Sequence, residues 1–219
     1  MKSQLFLFLG AALVLAGCNE AVIVPCPSAS MLSDTASLTD VREKLRDLVS
    51  GELKPAYVGL ALLEGRELRR IQDPAACYPV EMMTPVFSLF GNWPSSLAVR
   101  ERRIVVVPDR DALLAQFGPE ALAAFDAGDL RSAVCVPLRG TTRVVGVLNL
   151  GWDRPHLADV TERAVLTAIA GYTALAVERA LYLDERITVA QLRRARPGAP
   201  DGIGESRMHG YRGTTIGKI

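Results

Sequence analysis

Two apolar runs, residues 133–138 and 144–150, are separated only by a short polar stretch around Gly140. That spacing predicts a β-hairpin. After it, Val165, Ile169, Tyr172, Ala176, Ala180, Leu183 and Ile187 recur at helical intervals. Asp159 and Glu162 supply an N-terminal signature for this helix. Its apolar stripe is longer than one domain needs to bury, so the far end is expected to project and to pair with a second copy. Pro137 cannot donate to a ladder, which places it at a bulge or an unpaired position.

The region before the hairpin adds shorter elements. Ser37 and Asp40 make a capping-box pattern ahead of Leu38, Val41, Leu45, Leu48 and Val49, and Pro55 stops that helix. Residues 56–63 read as a buried strand with Val58, Leu60 and Leu62 on one face and Tyr57, Gly59 and Ala61 on the other. Glu64-Gly65 turns it into a partner strand at residues 67–71. Residues 72–93 read as irregular, with room for a short strand. A helical turn follows Pro94, then an apolar strand at residues 104–107. Asp109 is placed to cap a helix carrying Leu113, Leu114 and Phe117, which Gly118-Pro119 breaks before a second short helix. The order describes an α+β domain: an antiparallel sheet with helices on one side and loops on the other, over residues 32–190.

The ends differ in character. Lys2, an apolar run over residues 5–16 and the ending Leu15-Ala16-Gly17-Cys18 suit an export signal rather than a membrane span of about 20 apolar residues. This segment resembles a bacterial lipoprotein signal, with residues 1–18 as signal peptide and Cys18 as the lipidated anchor on the outer side of a membrane. A start at Met31 would instead leave the domain in the cytoplasm. Residues 19–31 read as a linker, and residues 197–219, rich in glycine, as a disordered tail.

Composition excludes more than it identifies. The 219 residues carry 25 basic and 24 acidic side chains, a net charge of +1, which argues against a nucleic-acid binder. The four cysteines, Cys18, Cys26, Cys77 and Cys135, and the two histidines, His156 and His209, match no metal-ligand spacing.

The segment RSAVCVPLRGTTRVVGVLNL, residues 131–150, resembles the most recognisable part of GAF domains, with Ser132, Pro137-Leu138 and Gly146-Val147-Leu148 in the family's order. Asp153-Arg154-Pro155 and the helix beyond it continue the likeness, as does LAVRERRIVVVPD upstream. The resemblance implies a GAF-like sheet with flanking helices and a regulatory role in signal transduction: sensing a small molecule or dimerising, without an effector of its own. It is similar to the GAF modules that precede bacterial serine phosphatases and histidine kinases. A GAF-fold thiol reductase of free methionine sulfoxide is the alternative, although the cysteine–aspartate signature of those enzymes is absent and Asn149 and Gly151 stand where an acidic residue belongs. No histidine accompanies Cys77 or Cys135, which disfavours a bilin, and Ala180 and Asn149 do not fit the cyclic-nucleotide pattern.

No catalytic or metal-binding set emerges, and the sequence names no cofactor. Asp109 and Asp111 are explained by the helix they open. Cys135, mid-strand between valines, reads as a small buried residue. The family's pocket implies ligand-wall candidates in Phe87, Phe90, Trp93, Phe117, Phe125 and Cys135, with core packing as the competing role for each aromatic. An unidentified small molecule and a homodimer through the last helix are the partners expected.

Overall fold

The computed structural model describes residues 32, 35, 37–73 and 78–195. The expected leader and linker, Cys18, Cys26, Cys77 and the glycine-rich tail lie outside them. Helix α1, Leu38–Glu52, opens on the anticipated capping box. The Asp40 N–H donates to the Ser37 hydroxyl at 3.1 Å, and the Ser37 N–H donates to the Asp40 carboxylate at 3.1 Å. Two N–H groups that a helix start would leave unsatisfied are thereby paired. The helix ends just before Lys54, which has a positive φ, and Pro55.

Next come β1 (Tyr57–Glu64), β2 (Glu67–Ile71), the short α2 (Pro79–Met83) and β3 (Val86–Ser88). Then follow α3 (Pro94–Glu101), β4 (Val105–Val107), α4 (Arg110–Ala127), the hairpin β5 (Ser132–Arg139) and β6 (Val144–Trp152), and the long α5 (Val160–Ala195). The six strands form one sheet in the order β3-β2-β1-β6-β5-β4, with antiparallel neighbours. The long-range step is the pairing of β1 with β6, which places Gly59 opposite Asn149.

Side-chain alternation sorts the two faces. Val58, Leu60 and Leu62 join Val134, Val136, Leu138, Leu148 and Leu150 under α1 and α5. Leu166, Ala170, Ala174 and Val177 of α5 complete this layer. Each fully buried aliphatic side chain contributes roughly 1.5–3 kcal/mol. On the opposite face Ala61, Leu68, Phe87, Val105, Ala133, Cys135 and Val147 meet Ala98 and Val99 of α3 and Leu113, Phe117, Ala121 and Phe125 of α4. The second face, expected to carry loops, is therefore covered by short helices. Its apolar strand residues need that cover, and α3 brings the small residues Ser95, Ser96 and Ala98 that allow close approach.

Several local readings resolve in the same way. Residues 72–93, expected as irregular, hold α2 and β3. Asp109 caps α4, accepting from the Ala112 N–H at 2.8 Å. Gly118, at φ 79° and ψ −176°, kinks α4 into the two anticipated segments. Pro137 stands in register with Val147, one residue before the bulge at Leu138/Arg139. On its other side β4 has already ended, since Val105 faces Cys135, so no strand there needs the missing donor. Asp159 caps α5, accepting from the Glu162 N–H at 2.8 Å. Burial along α5 stops at Ala180; from Leu181 to Gln191 only Leu183 is partly covered. By length and composition the stretch Val160–Gln191 of α5 could cross a membrane, and 44% of its apolar window is buried inside the domain.

Candidate functional site

Tyr57 begins β1 with its side chain on the α3–α4 face, and its ring folds back over Gly59. A Cβ at Gly59 would lie 2.0 Å from the Tyr57 hydroxyl. The glycine thus gives the phenol its path along the sheet. There the hydroxyl donates to Glu81 Oε1 at 3.0 Å and accepts from Arg70 Nη1 at 3.3 Å. Burial raises the Tyr57 pKa above the ordinary tyrosine value, against the opposing pull of the Arg70 charge.

Two buried arginines flank this phenol. Arg42, from α1, is fully buried and donates to Glu81 Oε1 at 2.5 Å, to the Val58 carbonyl at 2.9 Å and to the Ile71 carbonyl. Asp73 lies 3.9 Å from Arg42 Nε and 2.7 Å from Arg46 Nη1. Arg70, from β2, is held differently. Its Nε donates to the Thr84 carbonyl at 2.8 Å and its Nη2 to the Thr84 hydroxyl at 3.2 Å, while its plane lies over the Phe87 ring at 4.7 Å. Its hydrogen-bond partners are all neutral, and among the ion pairs of the described residues Arg70 takes no part.

Beside Arg70 a cavity of about 40 Å³ opens between the sheet, the start of α3 and the end of α4. Tyr57, Arg70, Trp93, Ser95, Phe125, Leu130, Cys135 and Asn149 contribute to its wall. A water needs roughly 10–15 Å³ measured this way, so the space suits a few waters or a molecule of a few heavy atoms. Ser95 donates from its hydroxyl to Asn149 Oδ1 at 2.8 Å and stands 3.8 Å from Cys135 Sγ. Asn149 Nδ2 is buried and has no hydrogen-bond partner among the described residues. A buried donor left unsatisfied costs about 1–3 kcal/mol, so this N–H is available to a polar partner that enters the cavity. Cys135 is buried, and burial pushes its thiol up to about 12, with the Ser95 contact and the Arg70 charge only partly opposing the shift.

Of the six wall candidates, Trp93, Phe125 and Cys135 line the cavity. Phe87 and Phe117 instead pack in the core of this face, at 7% and 4% exposure. Phe90 is 60% exposed, with Arg66 over its ring, and is not part of the cavity wall. Arg70, Ser95 and Asn149 were not among the candidates. The signal for Arg70 is a charged residue one position from the end of a strand whose alternation puts it on the inner face with Leu68. His156, in the loop before α5, is partly buried. It stacks on Trp152 at 3.9 Å and bonds Glu162 at 2.7 Å. The described residues hold no cluster of His, Cys, Asp and Glu that could bind a metal.

The GAF domain model matches residues 35–178. The chain belongs to the GAF domain family. Comparison with curated proteins gives no match. Among solved structures, this GAF chain is similar to residues 122 to 287 of a methyl-accepting chemotaxis protein, with a TM-score of 0.57 and 16% identity over 71% of this chain and 98% of that one. It is also similar to a domain of a putative two-component sensor histidine kinase from Sinorhizobium meliloti (TM-score 0.52, 18% identity, 73% and 99% covered). Free methionine-R-sulfoxide reductase from Neisseria meningitidis gives a TM-score of 0.53 at 23% identity, with 71% and 86% covered. At these identities the likeness shows the fold alone.

Proposed function

We propose that this GAF domain is a small-molecule sensor that dimerises through α5, and that it performs no chemistry on its ligand. The observation that carries the reading is the setting of Cys135. A thiol nucleophile acts as its thiolate and needs an electropositive, partly open surrounding. Cys135 is buried at 3% exposure, and burial raises its thiol to about 12, with the Ser95 hydroxyl 3.8 Å away and the Arg70 charge opposing the shift only in part. What remains is a binding cavity with a donor and a guanidinium turned toward it, which is the equipment of recognition.

The same hairpin that carries Cys135 and Asn149 is gripped by α5 at its tip. Thr141 donates to Glu178 through both its N–H, at 2.9 Å, and its hydroxyl, at 2.8 Å. Occupancy of the cavity therefore has a short mechanical route to the helix that leaves the domain. The rival reading, a thiol reductase, draws support from the reductase among the structural neighbours. An assay of the full chain with free methionine-R-sulfoxide and a thiol reductant separates the two. Sensing without chemistry predicts no turnover above background. Turnover lost in Cys135→Ser would replace this reading with the enzyme.

A further inference from the structure

We infer that the cavity takes a small monocarboxylate with a short apolar body, its charge received by Arg70 and one carboxylate oxygen by Asn149 Nδ2. The inference rests on the sensing reading and narrows it to one ligand chemistry.

Both polar groups that the fold leaves open here are donors. Three N–H groups of the Arg70 guanidinium are engaged by Thr84 and Tyr57, and a guanidinium carries five. Glu81 is taken by Arg42 and Asp73 by Arg46 at direct contact distance, so the nearby carboxylates answer other arginines. A buried cation whose partners are all neutral is costly unless an anion completes it. Asn149 Nδ2 adds the second open donor on the same wall. A neutral amide ligand would leave the guanidinium uncompensated. A sulfate or phosphate would need donors on all sides, whereas the Tyr57 and Ser95 hydroxyls of the wall already donate to Glu81 and Asn149, and Phe125, Leu130 and Ala133 make one side of it apolar. That asymmetry fits a ligand with one anionic end and one apolar end. The volume limits it to a few heavy atoms.

Thermal unfolding of the full chain with propionate, propionamide, sulfate or chloride at matched ionic strength tests the inference. Propionate at a hundredfold excess over its Kd should raise the Tm by about 5–10 °C, with the other three giving no shift. Asn149→Asp keeps the shape and the acceptor for Ser95 but turns an oxygen toward the anion, so it should weaken propionate at least tenfold while still unfolding cooperatively. Arg70→Met should abolish the shift; because Arg70 also holds Thr84 and Tyr57, the aspartate variant is the deciding one if the methionine variant does not fold. Equal stabilisation by propionate and propionamide, or undiminished propionate affinity in Asn149→Asp, would overturn the inference. Stabilisation by a neutral metabolite alone would overturn it and leave the sensing reading standing. Absence of a shift with every class of small molecule would overturn both.

Discussion

Arg42 and Arg70 are two buried guanidiniums held in opposite ways, Arg70 by neutral groups alone. Arg42 is enclosed by Glu81, Asp73 and two carbonyls, and it ties α1 to the segment around α2. Removing it strands a buried carboxylate. Arg42→Ala should therefore destabilise the fold by about 3–5 kcal/mol, read as a lower urea midpoint at unchanged slope. Cys135 gives a pH prediction. Its pKa rises from 9.0 to about 12 on folding, so the unfolded chain loses this proton first as pH rises. Below pH 9 the thiol contributes no pH dependence. Between pH 9 and 12 the unfolded state binds fewer protons than the native one, and stability falls. Cys135→Ala should flatten that alkaline decline, and native Cys135 should resist alkylation at pH 8 until the chain unfolds. Alkylation of native protein as fast as of a free thiol would contradict the burial. The residue scale is also where the sequence was least legible. Trp93 and Phe125 reach the cavity, but nothing local distinguished them from Phe87 or Phe90. Arg70 and Asn149 became site residues only when β2, β1 and β6 came together, a long-range pairing that no short window contains.

Among the elements, punctuation was the readable part. Ser37, Asp109 and Asp159 each cap the helix assigned to them, because a cap is a contact between residues three apart and is written locally. The hairpin and its turn at Gly140 were equally local. The short helices over the second face were legible as a layer through the family likeness and not locally, since α4 carries its apolar residues across a kink and α3 relies on small ones. Gly118 sits at a backbone conformation that is essentially reserved for glycine, with open space around it. Gly118→Ala should cost about 1–3 kcal/mol through backbone strain alone, measured by chemical denaturation. A neutral outcome would mean that the kink relaxes. At the other end, Leu175, Tyr182 and Val189 are 57%, 57% and 41% exposed on α5. They are seven residues apart, close to two helical turns, and so share one face. That seam motivates the proposed dimer. Tyr182→Glu should shift the chain from dimer to monomer in light scattering; a monomeric parent protein would sink the dimer.

At the scale of the whole molecule, the sheet separates two jobs. One face is an apolar core under α1 and α5. The other holds the polar cluster, the cavity and the kinked α4. The β5–β6 hairpin serves both: Cys135 and Asn149 look into the cavity, while Thr141 at its tip is held by Glu178 of α5. The proposed sensing requires that this cavity be occupied and that its occupant be bound, not transformed. Thermal unfolding of the full chain against a metabolite panel spanning carboxylates, amines, neutral amides, sugars and nucleotides tests it most directly. At a hundredfold excess over Kd, at least one class should raise the Tm by about 5–10 °C and be recovered chemically unchanged. No shift with any class, or recovery of the stabilising compound in altered form, would contradict the claim.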